Sequence, residues 1–190
     1  MDGKIEYTKL GFGISHSPTK LVKTERKWHL ELRDRWWEPS QVYDGWEDSN
    51  QGTYPLLVFA HGKIPKSAAG KDYCGYALAD LNTFFRQFKM YVGNQYVIGG
   101  RGWQIKTVED RGKYDLPRND KLWHLSRCKL TLDNGQQYDF TFCYIERDNW
   151  LYAFKLFTPE PRRNDDFELM LAWMDSLYFL TNSPPPTVKQ

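Results

Sequence analysis

The chain has 190 residues, which is the length of one ordinary domain and enough to bury a hydrophobic core. Its 26 basic and 24 acidic residues leave a net charge of +2, so the charge balance gives no reason to expect a nucleic-acid partner. Its three cysteines are an odd number without CxxC spacing, which argues against a disulfide framework or a zinc site and favours a cytoplasmic location. Neither a signal peptide nor a membrane-spanning segment is predicted.

The N-terminal half predicts strands separated by a long loop. Residues 28–32 alternate between polar and apolar side chains, and residues 54–64 are typical of a buried strand. Residues 36–53 contain proline, glycine, aspartate and asparagine without a period, which predicts a tryptophan-rich loop. An amphipathic helix over 76–91 and another strand over 103–108 follow.

Alternating aromatic residues over 122–158 predict a three-stranded antiparallel meander. A two-residue turn in the first hairpin would set apolar side chains opposite polar ones. A three-residue loop at 133–135 removes this mismatch and sets Leu130 opposite Tyr138. Gly135 is suited to the left-handed conformation that such a loop requires.

The second hairpin is given a similar loop at 147–149, which sets Tyr144 opposite Tyr152. In this register the rings of the meander share one face. Cys128 lies on that aromatic face and is expected to be inert, whereas Cys143 lies on the opposite, polar face.

A C-terminal helix is predicted to cover the aromatic face. Asn164 is its expected N-cap, and acidic residues follow at the positive end of the helix. Its apolar positions are Phe167, Met170, Leu171, Met174, Leu177 and Tyr178. We therefore expect one domain over 1–182, followed by a disordered, proline-rich tail over 183–190.

No catalytic residue, metal ligand set or cofactor is predicted. The sequence has no GxSxG motif, and its four histidines lack the spacing of metal ligands. Cys74 precedes a predicted helix, where a thiolate would be favoured, so it is the cysteine to test for reactivity. The alternative to a binding protein is a small enzyme or ligand-binding protein, with a pocket between sheet and helices that uses His61, Cys74 or the four acids of the loop at 38–48.

The loop over 36–53 is the predicted partner-binding site. Exposed aromatics among charged residues are the usual composition of interface anchors, and acids rather than bases surround them here. This composition favours a protein partner over a nucleic acid. The candidate contacts are Trp36, Trp37, Glu38, Tyr43, Asp44, Trp46, Glu47 and Asp48.

The order of elements over about 54–180 resembles the PsbP-like and DcrB-like α/β/α sandwich family. The resemblance depends on the run NGQQYDFTFCYI…NWLYAFKLFTP…FELMLAWMDSLYFL, and residues 20–53 fit the family pattern poorly. It implies an α+β fold in which two amphipathic helices pack on a mostly antiparallel sheet.

Members of this family are mostly adaptors, so the resemblance also implies a sheet face or edge that binds another polypeptide. By analogy in size and composition, the chain is similar to bacterial immunity proteins that neutralise a cognate toxin. The expected function is accordingly a non-enzymatic protein-binding module, either such an immunity protein or a chaperone or adaptor for a secreted effector.

Overall fold

A computed structural model describes most of the C-terminal half of the chain and parts of the N-terminal half. The described residues are 4–15, 22–23, 37–44, 56–64, 66, 69–70, 72–75, 77–78 and 105–180. The strands are β1 (Lys4–Tyr7), β2 (Phe12–Ser15), β3 (Val22–Lys23), β4 (Trp37–Asp44), β5 (Leu56–Lys63), β6 (Ile105–Arg118), β7 (Lys121–Leu132), β8 (Gln137–Arg147), β9 (Trp150–Pro159) and β10 (Tyr178–Phe179). Short 3₁₀ helices span Thr8–Leu10 and Glu160–Arg162, and the C-terminal helix spans Arg163–Met174.

The strands form two antiparallel sheets, which confirms the predicted α+β class. The large sheet has the order β3-β4-β5-β9-β8-β7-β6, and the small sheet has the order β1-β2-β10. The predicted meander is β7, β8 and β9, and the predicted buried strand at 54–64 is β5, which pairs with β9.

The first hairpin of the meander has the predicted register. Leu130 is opposite Tyr138 and Cys128 is opposite Phe140. Gly135 adopts a φ of 83°, the left-handed conformation that the loop requires. The fit between apolar faces and loop length was therefore sufficient to determine this pairing.

The predicted register of the second hairpin is wrong by one residue. Asp148 and Asn149 have φ angles of 52° and 65°, so they form a two-residue turn that sets Arg147 opposite Trp150. Tyr144 consequently lies opposite Ala153 rather than Tyr152. Since a shift of one residue moves a strand's side chains to the other face, the rings of Tyr152 and Phe154 on β9 lie on the face opposite the β8 rings, whereas Phe157 shares the face of the β8 rings.

Both faces of the meander are therefore buried. The helix face, which the C-terminal helix covers, contains Trp123, Leu125, Cys143, Ile145, Trp150, Tyr152, Phe154 and Leu156. The opposite face contains Cys128, Leu130, Tyr138, Phe140, Phe142, Leu151, Ala153 and Phe157, and it packs on Tyr73, Cys74 and Ala77. Cys143 lies on the sheet face opposite Cys128, as predicted. That face is a core layer rather than the polar surface that the sequence predicted.

The C-terminal helix begins one residue before the predicted N-cap. Arg162 occupies the cap position without a side-chain hydrogen bond to the first backbone N–H groups, because the 3₁₀ turn at Glu160–Arg162 leads directly into the helix. Buried Asp166 accepts a hydrogen bond from the Thr158 hydroxyl on β9. The helix ends at Met174, so Tyr178 belongs to β10 instead of the helix.

Three further boundaries differ from the prediction. Residues 37–44, expected in the long loop, form β4, whose pairing with β5 includes a register shift between Pro39 and Gln41. Such an irregularity accommodates proline in a strand, which the local sequence pattern did not reveal. Residues 73–75 and 77–78 are helical, so that helix starts before Tyr76, and β6 extends ten residues past the predicted end at 108. The predicted strand at 28–32, the rest of the helix to 91 and the tail at 183–190 lie outside the described residues.

The small sheet joins the two ends of the described chain. Phe12 and Ile14 of β2 are fully buried in the same core as the C-terminal helix, and the Trp173 indole donates to the Ser15 carbonyl at 2.9 Å. Gly13 lies directly beneath the Tyr178 ring, where a Cβ atom would approach a ring carbon to 2.3 Å. Any larger residue at position 13 would therefore require the Tyr178 ring to move.

Candidate functional site

The strand β6 forms one side of the large sheet and is mostly exposed. It is the outermost of the described strands on its side, spans 14 residues and is largely exposed along its length. Its side chains include exposed Val108 (52%) and Tyr114 (44%), and Leu122 (51%) stands at the start of β7. No described strand pairs with the outer edge of β6, and the backbone N–H and C=O groups of such an edge are able to pair with another chain.

A bulge in β6 redirects one side chain of this strand. The pairing with β7 shifts between Asp110 and Gly112, which leaves Arg111 as the extra residue. Arg111 turns to the helix face, where its guanidinium donates to Asp139 at 2.9 Å and also to Glu160. The bulge therefore fastens β6 to β8 and to the turn before the C-terminal helix.

Arg111 belongs to a buried charge network. Asp139 is fully buried and also accepts hydrogen bonds from Arg127 at 3.1 Å and from the Thr141 hydroxyl at 2.9 Å. Burial alone would raise the pKa of Glu160, but hydrogen bonds from Arg111 and Arg163 lower it overall. These charges are matched to one another, which is typical of a structural network.

The hairpin of β6 and β7 aligns an acid with a histidine. Asn119 and Asp120 form its two-residue turn, with φ angles of 48° and 58°. Asp115 consequently lies opposite His124, and the Oδ1 atom of Asp115 is 2.8 Å from Nδ1 of His124. Both side chains are substantially exposed on the face opposite the helix.

Tyr144 of β8 extends this cluster. It pairs with His124, and the two ring centroids lie 5.2 Å apart. The Tyr73 ring also packs edge-on against Tyr144, with the centroids 5.2 Å apart. Burial, followed by the negative charge of Glu146, raises the pKa of Tyr144 to about 12. The phenol therefore stays protonated at neutral pH and remains a hydrogen-bond donor.

These residues line a cleft of about 300 Å³ beside β6. We call it the β6 cleft, and its lining residues are Lys113, Tyr114, Asp115, His124, Leu125, Ser126 and Tyr144. This volume is at the lower end of the range for small-ligand pockets and is suited to one side chain of a partner.

Of the side chains proposed for the alternative, an enzymatic pocket, His61 and Cys74 lie in the core. Burial lowers the pKa of His61 to about 4, and its ring stacks on Trp150. Burial raises the pKa of the Cys74 thiol more than the hydrogen bond with Ser126 lowers it, so the expected stabilisation of a thiolate at Cys74 is wrong. Burial also raises the pKa of Cys128, to about 12, and that of Cys143.

The predicted partner-binding residues are only partly within the described chain. Four of them lie on β4: Trp37 opposite Gly62, Glu38 opposite His61, Tyr43 opposite Leu57 and Asp44 opposite Leu56. Trp36, Trp46, Glu47 and Asp48 lie outside the described residues. The binding role of this set stays a prediction.

The β6 cleft was not predicted from the sequence, although the sequence contains a signal for it. Asp115 and His124 are placed symmetrically about Asn119 and Asp120, two residue types that adopt positive φ in hairpin turns. Recognising that turn would have set the acid opposite the histidine.

Two negative findings, on metal ligands and on membrane-spanning helices, concern the described residues. No group of three or more histidine, cysteine, aspartate or glutamate side chains in them is arranged to hold a metal ion. No helix in this part of the chain is long and apolar enough to cross a membrane.

Two solved structures show which fold this chain has. No protein-family model and no curated protein matches the sequence. The solution structure of cyanobacterial PsbP (CyanoP) from Synechocystis matches with a TM-score of 0.50 and 14% identity, over 93% of this chain and 91% of that one. The crystal structure of the Ran-binding protein Mog1p from Saccharomyces cerevisiae also has a TM-score of 0.50, with 7% identity over 95% and 96% of the two chains. The chain therefore has the α+β architecture of the PsbP-like fold, which confirms the resemblance at the level of architecture.

Proposed function

We propose that this protein is a non-enzymatic protein-binding module that uses β6 as its contact strand. The observation that carries the proposal is the combination of an exposed outermost strand with the exposed side chains of Val108 and Tyr114 on it. Such strands bind extended segments of other proteins by main-chain hydrogen bonding, and the flanking side chains supply specificity.

The ends of β6 limit where a partner strand pairs. The bulge at Asp110–Gly112 interrupts the regular edge, and Pro117 has no N–H to donate. Residues 113–116 form a regular stretch between these features, directly beside the β6 cleft. A partner segment that pairs there has access to the cleft.

The finer proposal is an immunity protein that neutralises a cognate toxin, or a chaperone or adaptor for a secreted effector, acting in the cytoplasm. The fold is compatible with such a role, since one protein that shares it is named for binding Ran. The predicted contacts near β4, above all Trp36, Trp37 and Trp46, supply a second candidate surface in the same proposal.

Affinity for a partner encoded beside this gene tests the proposal. We expect Val108→Lys combined with Tyr114→Lys to weaken the complex at least about tenfold, because each change places a charge at the contact strand. Asn164→Lys, on the exposed surface of the C-terminal helix, is the matched control and should leave affinity unchanged. Isothermal titration calorimetry measures the affinities, and thermal melts check that each variant is folded.

A triple alanine variant at Trp36, Trp37 and Trp46 tests the second surface. If the complex is weakened only by this variant, the contact strand is not β6. If neither variant set changes the affinity of any neighbouring gene product, the proposed binding function is wrong.

A further inference from the structure

We infer that the β6 cleft receives an arginine side chain from an extended segment of the partner, an inference that rests on the proposed function. The inference specifies what the partner presents at one position, which the proposed function leaves open. It depends on the charge, the aromatic surface and the position of the cleft.

Negative charge predominates around the cleft. Three carboxylates, those of Asp72, Asp115 and Glu146, act electrostatically on Tyr144. Among the described residues that line the cleft, Lys113 carries the opposing positive charge, and its Nζ atom lies 3.4 Å from the Asp72 carboxylate. A cation that enters the cleft therefore meets the carboxylate of Asp115 in the lining and is also attracted by Glu146, which lies outside the lining but acts on Tyr144.

The rings of the cleft favour a planar cation. The centroids of the His124 and Tyr144 rings lie 5.2 Å apart with an interplanar angle of 39°, and the Tyr73 ring packs edge-on against Tyr144. A guanidinium stacks on aromatic faces and donates two parallel hydrogen bonds to a carboxylate such as Asp115. A lysine ammonium is a compact, strongly hydrated point charge without this planar fork, so arginine is the better fit.

The cleft is within reach of a segment paired with β6. Asp115 lies on β6 itself, and His124 lies on the adjacent strand. Neighbouring strands are about 4.8 Å apart, and alternate side chains of an added strand point to the face that contains the cleft. An arginine placed opposite Asp115 therefore extends over β6 toward His124.

Synthetic peptides test this inference without the natural partner. The probe is an acetylated and amidated octapeptide of alternating threonine and valine with one central arginine. A peptide with citrulline at that position is the neutral, nearly isosteric control. Titration of ¹⁵N-labelled protein followed by NMR gives both the affinity and the backbone amides that respond.

We expect the arginine peptide to bind at least about fivefold more tightly than the citrulline peptide, because charge-assisted hydrogen bonds replace neutral ones. The responding amides should lie on β6 and around His124 and Tyr144. Asp115→Asn and Glu146→Gln should each remove most of the preference for arginine. Asp165→Asn, an exposed acid on the C-terminal helix, should leave it unchanged.

Equal affinity for the two peptides, no binding of either peptide, or shifts confined to other parts of the chain would overturn the inference. These outcomes are distinct from failure of the proposed function. If the natural complex depends on Val108 and Tyr114 but tolerates Asp115→Asn, the contact strand stands and the arginine site does not. If the natural complex is insensitive to Val108, Tyr114 and the three tryptophans, the proposed function fails irrespective of the peptide result.

Discussion

Replacing Asp139 with asparagine tests whether the buried charge network stabilises the fold. The carboxylate is fully buried and accepts hydrogen bonds from Arg111, Arg127 and Thr141. The substitution keeps the shape of the side chain but removes its charge. Two largely buried guanidinium groups then share a neutral partner.

The substitution weakens the interactions of the two arginines unequally. Arg111 keeps its hydrogen bonds to Glu160, whereas Arg127 retains its contact with the Phe167 ring, 4.7 Å from the guanidinium carbon. The Nε atom of Arg127 is already buried without a hydrogen-bond partner in the structure. Breaking a buried ion pair by removing one partner typically costs about 3–5 kcal/mol. Because part of the network survives, we expect the free energy of unfolding to fall by about 3 kcal/mol. For a chain of this size that corresponds to a melting temperature lower by about 6–12 °C.

Urea unfolding measures this loss directly. We expect the midpoint to fall while the slope stays unchanged, because the surface exposed on unfolding is the same. Asp165→Asn removes an exposed carboxylate and should change the unfolding free energy by less than about 0.5 kcal/mol. A loss below about 1 kcal/mol for Asp139→Asn would show that the desolvation of these charges cancels their attraction, and the network would then carry no net stability.

Three further predictions concern single groups in the core and turns. The pKa of His61 is lowered from 6.5 to about 4 in the folded state, so the unfolded chain binds a proton in that window that the folded chain does not. Stability should therefore fall as pH drops from 6.5 to 4, by up to about 3 kcal/mol, and urea unfolding of His61→Phe across this range should lack that part of the loss. The three cysteines, all buried with raised pKa values, should react with a thiol reagent only as fast as the protein unfolds, whereas rapid native labelling of Cys74 would contradict its burial. Gly135→Ala should lower the unfolding free energy by about 1–2 kcal/mol, since its φ of 83° strains any side chain; an unchanged urea midpoint would show that the loop relaxes.

The sequence determined the meander well because its signals were local. Alternating rings identified the three strands, and Gly135 restricted the first loop to one length. The second loop was ambiguous, because Asp148 and Asn149 are residue types that accept positive φ together as well as singly. The protein forms the two-residue turn, and both faces of the meander that result from it are apolar enough to be buried.

The candidate site was harder to predict because it depends on pairing between strands. The contact of Asp115 with His124 requires the full length of β6, which its polar sequence conceals. An outermost strand buries little of its surface, so it shows weak hydrophobic alternation. In β4, tertiary pairing with β5 similarly outweighs a local composition that favours a loop.

The small sheet has a consequence for the order in which this protein assembles. The bonds from Ser15 to Trp173 and to Ser176 join positions 158 and 161 residues apart, and Gly13 is shaped for the ring of Tyr178. The hairpin of β1 and β2 therefore has no complete neighbour until the C-terminal helix has docked. Closing so long a loop is entropically costly, so we expect folding to be slow and the docking of the N-terminal hairpin on the C-terminal helix to be its last step. Cleaving the chain near one of these two segments should therefore undock the other.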